Sequence, residues 1–470
     1  MKKAACLAAL LALVLTSCGL KVKVSLVAGA ENPQGSGATS TSTDGGAVTP
    51  TTGPNAAGGD TTGSGATGPS TGPVASAGSL FKNETEGVTK NQITICGHVP
   101  ITGAAPIPHN PARFGQFYFD YVNKELHGVY GRNVKFQSID DQYNPPGARQ
   151  AVNQCQRQGA FIYFGAAGTD QIVSVAKWAE DQKELYFHGS TSDKDLHGFK
   201  YSVGTGPAYE FQSKLLADYL VKTVPTSPKP VFGMVRLNSP YFDSGHDAYV
   251  AELKKYGYTL ADDEVVQKDS SEFTAVLTNM YQKGVTVINN FTTPTIWIKM
   301  LNQMQNFPTY HPLWTAVSPI AGFNIVAQAL AGSHQNSTVF SSFNPACHCT
   351  YYNTDLDTSA KWYNDEKEFL RIFKKYSPEQ SPPPDDFDYA SYLGAKAIHR
   401  LLLKIGANPT RTKLWDLLKT YKETAAQAFP SCPGDFTRVT DELQGAWGVN
   451  VFTLDGQTWK QTHDCIDRWP

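Results

Sequence analysis

The chain has 470 residues, of which 41% are hydrophobic and 17% charged, with a formal net charge of -2. At about 150 residues per domain that length has room for two or three. The weakly acidic balance lacks the basic footprint needed to hold a polyanion, so nucleic acid is excluded as a partner. The 40 Gly and 29 Pro are too many for a helical bundle, but much of that excess is confined to one stretch near the N-terminus.

Met1-Lys2-Lys3 is a short positive start, and Ala4 to Leu15 is an apolar run of 12 residues, too short to span a bilayer core. The string Leu15-Thr16-Ser17-Cys18 that follows resembles a bacterial lipobox. The resemblance implies a signal peptide over 1–17, cleavage before Cys18, a diacylglyceryl thioether on Cys18 and a lipidated N-terminus over 18–30. Buried methylenes contribute about 0.8 kcal/mol each, enough for two or three chains to hold a folded domain at a membrane surface. An ordinary secretory peptide with an incidental cysteine also takes the chain out of the cytosol. From Glu31 to Ser79 there is no aromatic residue and no Lys or Arg, and the only charges are Glu31, Asp44 and Asp60. Such a segment cannot bury a core, so 31–84 is expected to be a flexible tether with an r.m.s. span on the order of 40 Å.

The elements of the body alternate. Gln92 to Cys96 is a β-rich run. Phe114, Phe117, Tyr118, Tyr121 and Val122 form a helical stripe. Val134 to Ile139 is a strand closed by Asp140-Asp141, and Pro145-Pro146 opens a helix with Ala148, Val152 and Cys155 on one face. Ala160 to Phe164 is apolar throughout, as a strand covered on both faces should be. A helix starting at Thr169-Asp170 buries Ile172, Val173, Ala176 and Ala179, and Leu185 to Phe187 is another strand. A second series follows a break near Thr205-Gly206-Pro207. Its strands are Pro230–Arg236, Val285–Ile288 and Pro312–Thr315, and its helices are Ser244–Lys255 and Thr295–Met304. Asp386 to Ile405 is helical and Gly448 to Phe452 strand-like. This order calls for two open, parallel α/β sheets with a cleft between them.

Several blocks come in a telling order: Gly97–Gly103, Asp120-Tyr121-Val122-Asn123, Asp140-Asp141, Gly165-Ala166-Ala167-Gly168-Thr169, Gly189-Ser190-Thr191, Tyr241–Gly245 and Phe291–Pro294. Together they resemble the type I periplasmic-binding fold of branched-chain amino-acid receptors, the substrate-binding subunits of ABC importers. The resemblance implies an α/β protein of two Rossmann-like lobes with parallel-sheet cores joined by a multi-strand hinge. Lobe 1 would comprise 85–207 plus 345–444, and lobe 2 would comprise 208–344 plus 445–470. It also implies a small polar ligand (an amino acid or related amide or metabolite), ABC permease membrane subunits as partners, an extracytoplasmic location, no cofactor and no enzymatic activity.

The same resemblance puts the ligand against Thr102, Ala167, Gly168, Thr169, Asp170, Ser190 and Thr191 from one lobe and Tyr241, Phe291, Thr292 and Thr293 from the other. Thr169 and the amides at a helix N-terminus suit an anion, although Thr169 or Asp170 could simply be a cap. The family commonly has a carboxylate for the ligand ammonium after the strand ending near Trp314, where this chain reads Thr315-Ala316-Val317-Ser318. Either Asp170, Asp243 or another acid substitutes, or the ligand is not a simple α-amino acid. The missing acid and the long tether also allow a sensory or scaffolding lipoprotein that transports nothing.

His98 and His188 could make the cleft polar or pH-sensitive, or could be hydrogen-bonded structural residues. The paired acids Asp140-Asp141 and Asp385-Asp386 read as solvated turn residues rather than a catalytic pair. There is no phosphate loop, no Gly-x-Ser-x-Gly elbow and no His-Glu-x-x-His. Six cysteines remain in the body: Cys96, Cys155, Cys347, Cys349, Cys432 and Cys465. An even number in an exported chain favours disulfides over a metal site, for which Cys347-His348-Cys349 lacks a second ligand pair. A Cys96–Cys155 bridge would join the first strand's end to the second helix. The other pairs are expected between the Cys347/Cys349 segment and Cys432 and Cys465.

Overall fold

A computed structural model of the chain describes residues 80–103, 110–165, 167–189, 195–318, 323–341, 356, 358–359, 362–424, 432–438, 443–445 and 447–467. The segment expected to be a signal peptide, Cys18 and most of the expected tether lie outside the described residues, as do Ser190, Thr191, Cys347 and Cys349. The folded body includes the last positions assigned to the tether. Phe81 is buried with its ring edge-on to Tyr201 and Trp415, and the Glu84 carboxylate accepts the Thr412 hydroxyl at 2.5 Å.

The first series of elements is β1 (Gln92–Val99), α1 (Arg113–Glu125), β2 (Asn133–Asp140), α2 (Pro145–Arg157), β3 (Ile162–Gly165), α3 (Thr169–Gln182), β4 (Tyr186–His188) and β5 (Ser202–Gly204). Local chemistry sets several of these boundaries. Asn144 caps α2, its side chain accepting from the Gly147 amide at 2.7 Å, while Pro145 and Pro146 fill positions whose amides need no helical partner. The stripe on α1 buries Phe114 against Phe369, with stacked ring centroids 4.4 Å apart. A buried ring of this kind stabilises by about 1.5–3 kcal/mol. Cys96 on β1 is bridged to Cys155 on α2, as the sequence led us to expect.

The second series is α4 (Tyr209–Thr223), β6 (Phe232–Leu237), α5 (Pro240–Lys255), β7 (Leu260–Val266), α6 (Thr274–Gln282), β8 (Val287–Phe291), α7 (Pro294–Gln303), β9 (Leu313–Val317), α8 (Asn324–Gly332) and β10 (Asn336–Ser341). The chain continues through α9 (Tyr363–Tyr376), α10 (Asp386–Lys404), α11 (Arg411–Thr420), β11 (Leu443–Gln444), β12 (Val449–Asp455) and β13 (Thr458–Ile466).

Two sheets result. The first runs β11-β5-β4-β3-β1-β2, with every described pairing parallel. The second runs β13-β12-β10-β9-β8-β6-β7, parallel except where β12 pairs antiparallel with β10 and β13. Each sheet has its own hydrophobic core. One core includes Ile95, Phe114, Tyr163 and Phe369, and the other Phe232, Trp297, Trp314 and Phe452. Because β11 returns to the first sheet and β12 to the second, the chain passes between the halves after β5, after β10 and after β11. Crossings of this kind form a hinge.

Candidate functional site between the two halves

In an open parallel sheet a crevice opens at the carboxyl ends of the strands, where the strand order reverses. In the first sheet that point lies between β1 and β3, and in the second between β6 and β8. Thr102 follows β1 and Ala167 to Asp170 follow β3. Tyr241 lies in the first turn of α5, just after β6, Phe291 ends β8 and Thr292 follows it. The sequence-derived candidates among the described residues therefore gather at two reversal points. Two hydrogen bonds show that these points face each other. The Ser239 hydroxyl, before α5, donates to Asp170 Oδ1 at 2.7 Å. The Thr169 and Tyr209 hydroxyls lie 2.8 Å apart.

The N-terminus of α3 has no side-chain cap. Its Ncap residue, Gly168, has φ +94°, and a Cβ there would lie 2.5 Å from Gln171 Oε1, so the turn needs glycine. The first amides of this helix are thus available to an acceptor, with the positive end of the helix dipole behind them. Thr169 itself is only 2% exposed. One of the paired hydroxyls donates to the other, and burial pushes the Tyr209 hydroxyl pKa up so that it keeps its proton. The pair therefore retains one O–H to offer a third group. Tyr209 is held from behind, stacked on Phe242 at 5.6 Å and edge-on to Phe291 at 5.1 Å. Phe291 is fully buried and acts from within the second core, as backing for Tyr209.

Thr102 is engaged locally. Its hydroxyl donates to Asp140 Oδ2 at 2.6 Å, while Asp140 Oδ1 accepts from the amides of Ile101, Thr102 and Gln142. Burial alone would raise the Asp140 pKa, but these donors outweigh it and hold the carboxyl below its usual range.

The paired acids are not solvated turns. Asp141 is fully buried, accepting from His98 Nδ1 at 2.8 Å and from the Tyr143 amide at 2.8 Å. Asp386 is buried and accepts from the Asn324 amide at 2.8 Å and carboxamide at 3.0 Å, which ties α10 to the second half. Burial drives its pKa well up. Asp385 caps α10 and closes a capping box with Asp388. Adjacent acids in sequence point opposite ways at a strand exit or helix start, so one of each pair reaches inward.

His98 is fully buried on β1, its Nε2 lying 2.8 Å from the Tyr186 hydroxyl. A neutral ring satisfies both contacts, donating from Nδ1 to Asp141 and accepting Tyr186 at Nε2. Gly165 leaves room for this contact, since a Cβ there would lie 2.0 Å from the Tyr186 oxygen and 2.4 Å from His98 Nε2. His188 is buried on β4, with Nδ1 2.8 Å from the Gly189 carbonyl, and desolvation lowers its pKa to about 4. Both histidines are hydrogen-bonded within the fold and sit on strands, His98 on β1 and His188 on β4.

No acid occupies 315–318, and of the two named substitutes Asp243 is already engaged. Asp243 pairs with Arg236 at 2.5 Å, and Asp386 is held by Asn324. Asp170 is the acid placed between the facing reversal points. Thr292 donates to Asn290 Oδ1 at 2.8 Å, and Thr293 caps α7 by accepting the Ile296 amide. Sequence reasoning missed Tyr209, Ser239 and Tyr143. Tyr143 and its neighbour Gln142 have φ +51° and +55°. Two successive non-glycine residues in the left-handed region mark a constrained loop. The Tyr143 pKa is pushed up by burial first, then by Tyr209, Asp170 and Asp141 around it.

A family model described as "Periplasmic binding protein" matches residues 92–455. No curated protein matches the chain in sequence. Among solved structures the chain is similar to a fatty acid ABC transporter substrate-binding protein from Thermomonospora curvata, with TM-score 0.64, 15% identity, and 82% of this chain and 94% of that one covered. It is similar to a branched chain amino acid ABC transporter from Thermus thermophilus with bound valine, with TM-score 0.65, 15% identity, and 81% and 97% covered. It is also similar to the branched-chain amino acid transporter substrate binding protein LivJ from Streptococcus pneumoniae in complex with isoleucine, with TM-score 0.61, 16% identity, and 80% and 99% covered.

Proposed function

The chain belongs to the periplasmic binding protein family, and from that premise we propose that it is an extracytoplasmic receptor that captures a small polar solute between two lobes. The solute is an amino acid or a related amide or small metabolite. Closure favours a form that ABC permease membrane subunits accept, and the chain itself catalyses nothing. The observation that carries this reading is the pair of hydrogen bonds, Asp170 to Ser239 and Thr169 to Tyr209, that set the two reversal points face to face.

The anionic end of the solute sits at the uncapped start of α3, with the Thr169 hydroxyl and the amides of Thr169 and Asp170 as donors and Gly168 and Ala167 giving close access. The Asp170 carboxylate receives an ammonium or amide N–H. Thr102 and Thr292 line the site from the two sides with Phe291 behind, and the family resemblance adds Ser190, Thr191 and Tyr241 to it. Lipid on Cys18 holds the body to the membrane through the tether. In the producing cell, labelled fatty acid should be incorporated into the native chain and lost in Cys18→Ala, with the body released from the membrane fraction. Equal labelling of both would refute the anchor.

Calorimetric titration of the folded body with branched-chain and polar amino acids, amides, short peptides, polyols and fatty acids tests the receptor reading. Saturable 1:1 binding of at least one solute is expected. A natively folded protein that binds none of them would overturn it. A second reading, a sensory or scaffolding lipoprotein on the same fold, is favoured by one observation, that the Thr169 hydroxyl is already partnered by Tyr209. Unchanged uptake of every bound solute in a deletion strain would select it.

A further inference from the structure

Cys432 and Cys465 converge on one atom. Cys432 Sγ lies 3.7 Å and Cys465 Sγ 3.4 Å from Asn450 Oδ1. Cys432 is buried and Cys465 half-buried. They belong to different halves. The segment following Cys432 is fixed to the first half: Gly434 exchanges hydrogen bonds with Glu423, the Phe436 amide donates to the Tyr421 carbonyl, and the Asp435 amide donates to Gly445. Tyr421 and Phe436 are members of the first core. Cys465 lies on β13, the edge strand of the second sheet, and its amide donates to the same Asn450 Oδ1 at 3.0 Å.

Between the two cysteines runs the last crossing, from β11 to β12. Its Gly445 amide donates to the Gly204 carbonyl, at the end of β5 where the first crossing begins. Its Gly448 passes so close that a Cβ there would lie 3.1 Å from Cys432 Cβ and 3.2 Å from Cys432 Sγ. Membership of an exported family places these thiols in an oxidising compartment, where a paired dithiol persists as a disulfide.

We propose that Cys432 and Cys465 form a disulfide that staples the first half to the edge strand of the second, across the crossing at Gly445–Gly448. The bond forms by exchange with a disulfide-bearing thiol oxidoreductase of the exported compartment. One protein thiolate attacks the oxidant's disulfide to give a mixed disulfide, and the second displaces the oxidant. Two protein thiols are oxidised, one oxidant disulfide is reduced to two thiols, and the two protons pass to the products. The staple closes a loop around one crossing, so the halves pivot at this edge while the facing reversal points stay free to part. This pairing replaces the expected bridges from Cys432 and Cys465 to the Cys347/Cys349 segment, because the fold supplies each with the other as its neighbour.

Tryptic mapping of the exported protein, purified without reductant and alkylated before digestion, tests the pairing. Cys432 lies in peptide 423–438 and Cys465 in peptide 461–468, separated by cleavage after Arg438 and Lys460. The two should be recovered joined, two hydrogens lighter than their sum. Peptides 91–113 and 150–157, joined through Cys96 and Cys155, report that the sample is oxidised. Recovery of 423–438 and 461–468 as separate alkylated peptides in that sample, or of either joined to 300–361, overturns the proposal. A Cys432→Ser/Cys465→Ser variant should melt a few degrees below the wild type without reductant. Reductant should abolish that difference, and equal melting in both conditions would refute the staple.

Discussion

Removing the two bonds that join the facing reversal points should open the molecule. Ser239→Ala deletes the hydroxyl that donates to Asp170, and Tyr209→Phe deletes the partner of Thr169 while keeping the ring that packs on Phe242 and Phe291. A hydrogen bond to a charged group contributes about 1.5–3 kcal/mol and a neutral pair about 1 kcal/mol. With the half-exposed Asp170 at the low end of its range, the double variant loses about 2.5 kcal/mol of preference for the closed form. At about 1.4 kcal/mol per tenfold change, the closed-to-open ratio falls by roughly fifty- to a hundredfold. A solute that binds only the closed form then shows a Kd raised by up to the same factor. Titration calorimetry with the tightest solute from the screen reads the change in Kd, and small-angle scattering of the free protein reads the accompanying expansion. A double variant with a Kd within twofold of the wild type, or a tighter one, and an unchanged scattering profile would refute the reasoning.

Gly165→Ala should be disproportionately costly for a single methyl. The added Cβ collides with the Tyr186 oxygen and His98 Nε2, and overpacking of this kind costs about 1–3 kcal/mol. A lowered urea midpoint is expected, and an unchanged one would mean that this network is not rigid. Acid stability should depend on His188. Burial holds its folded-state pKa at about 4 against the 6.5 of an unperturbed histidine, so between these values the unfolded chain binds the additional proton. Stability is therefore fully present above pH 6.5 and falls by up to about 3 kcal/mol as the pH drops to 4. Thermal melts of His188→Gln should lose less stability over that window than the wild type, and parallel pH profiles would contradict the assignment.

Much of the first half was legible because its signals are local. The aromatic stripe of α1, the Asn-Pro-Pro opening of α2 and the apolar run of β3 each announce an element without help from the rest of the chain. Two of the strands that went unread, β7 and β13, have polar sequences. β7 reads Leu-Ala-Asp-Asp-Glu-Val-Val and lies at the outer edge of the second sheet, where one side carries solvent-facing charge. β13, rich in Thr, Gln, His and Lys, is the opposite edge. α5 begins four residues before the stretch assigned from Ser244, because Pro240 is an admissible first-turn residue, so Tyr241 is helical.

At the site, Thr169 was visible as the first residue of a helix after a Gly-rich strand exit. Its partner Tyr209 is 40 residues away and Ser239 is 69 from Asp170. Nothing in their own neighbourhoods marks either as a contact, since only the docking of two sheets brings them together. Asp141 and Asp386 were misread for a related reason: burial depends on what packs over a turn, and the covering groups, His98 and Asn324, lie 43 and 62 residues away.

The most direct test is a crystal structure of the body with the first solute that titration identifies. The solute is expected between the halves, with an anionic or carbonyl oxygen within hydrogen-bonding distance of Thr169 Oγ1 or the first amides of α3, and with at least one further contact from the β6 or β8 side. A solute bound to one half alone, or seated away from the start of α3, would contradict the account.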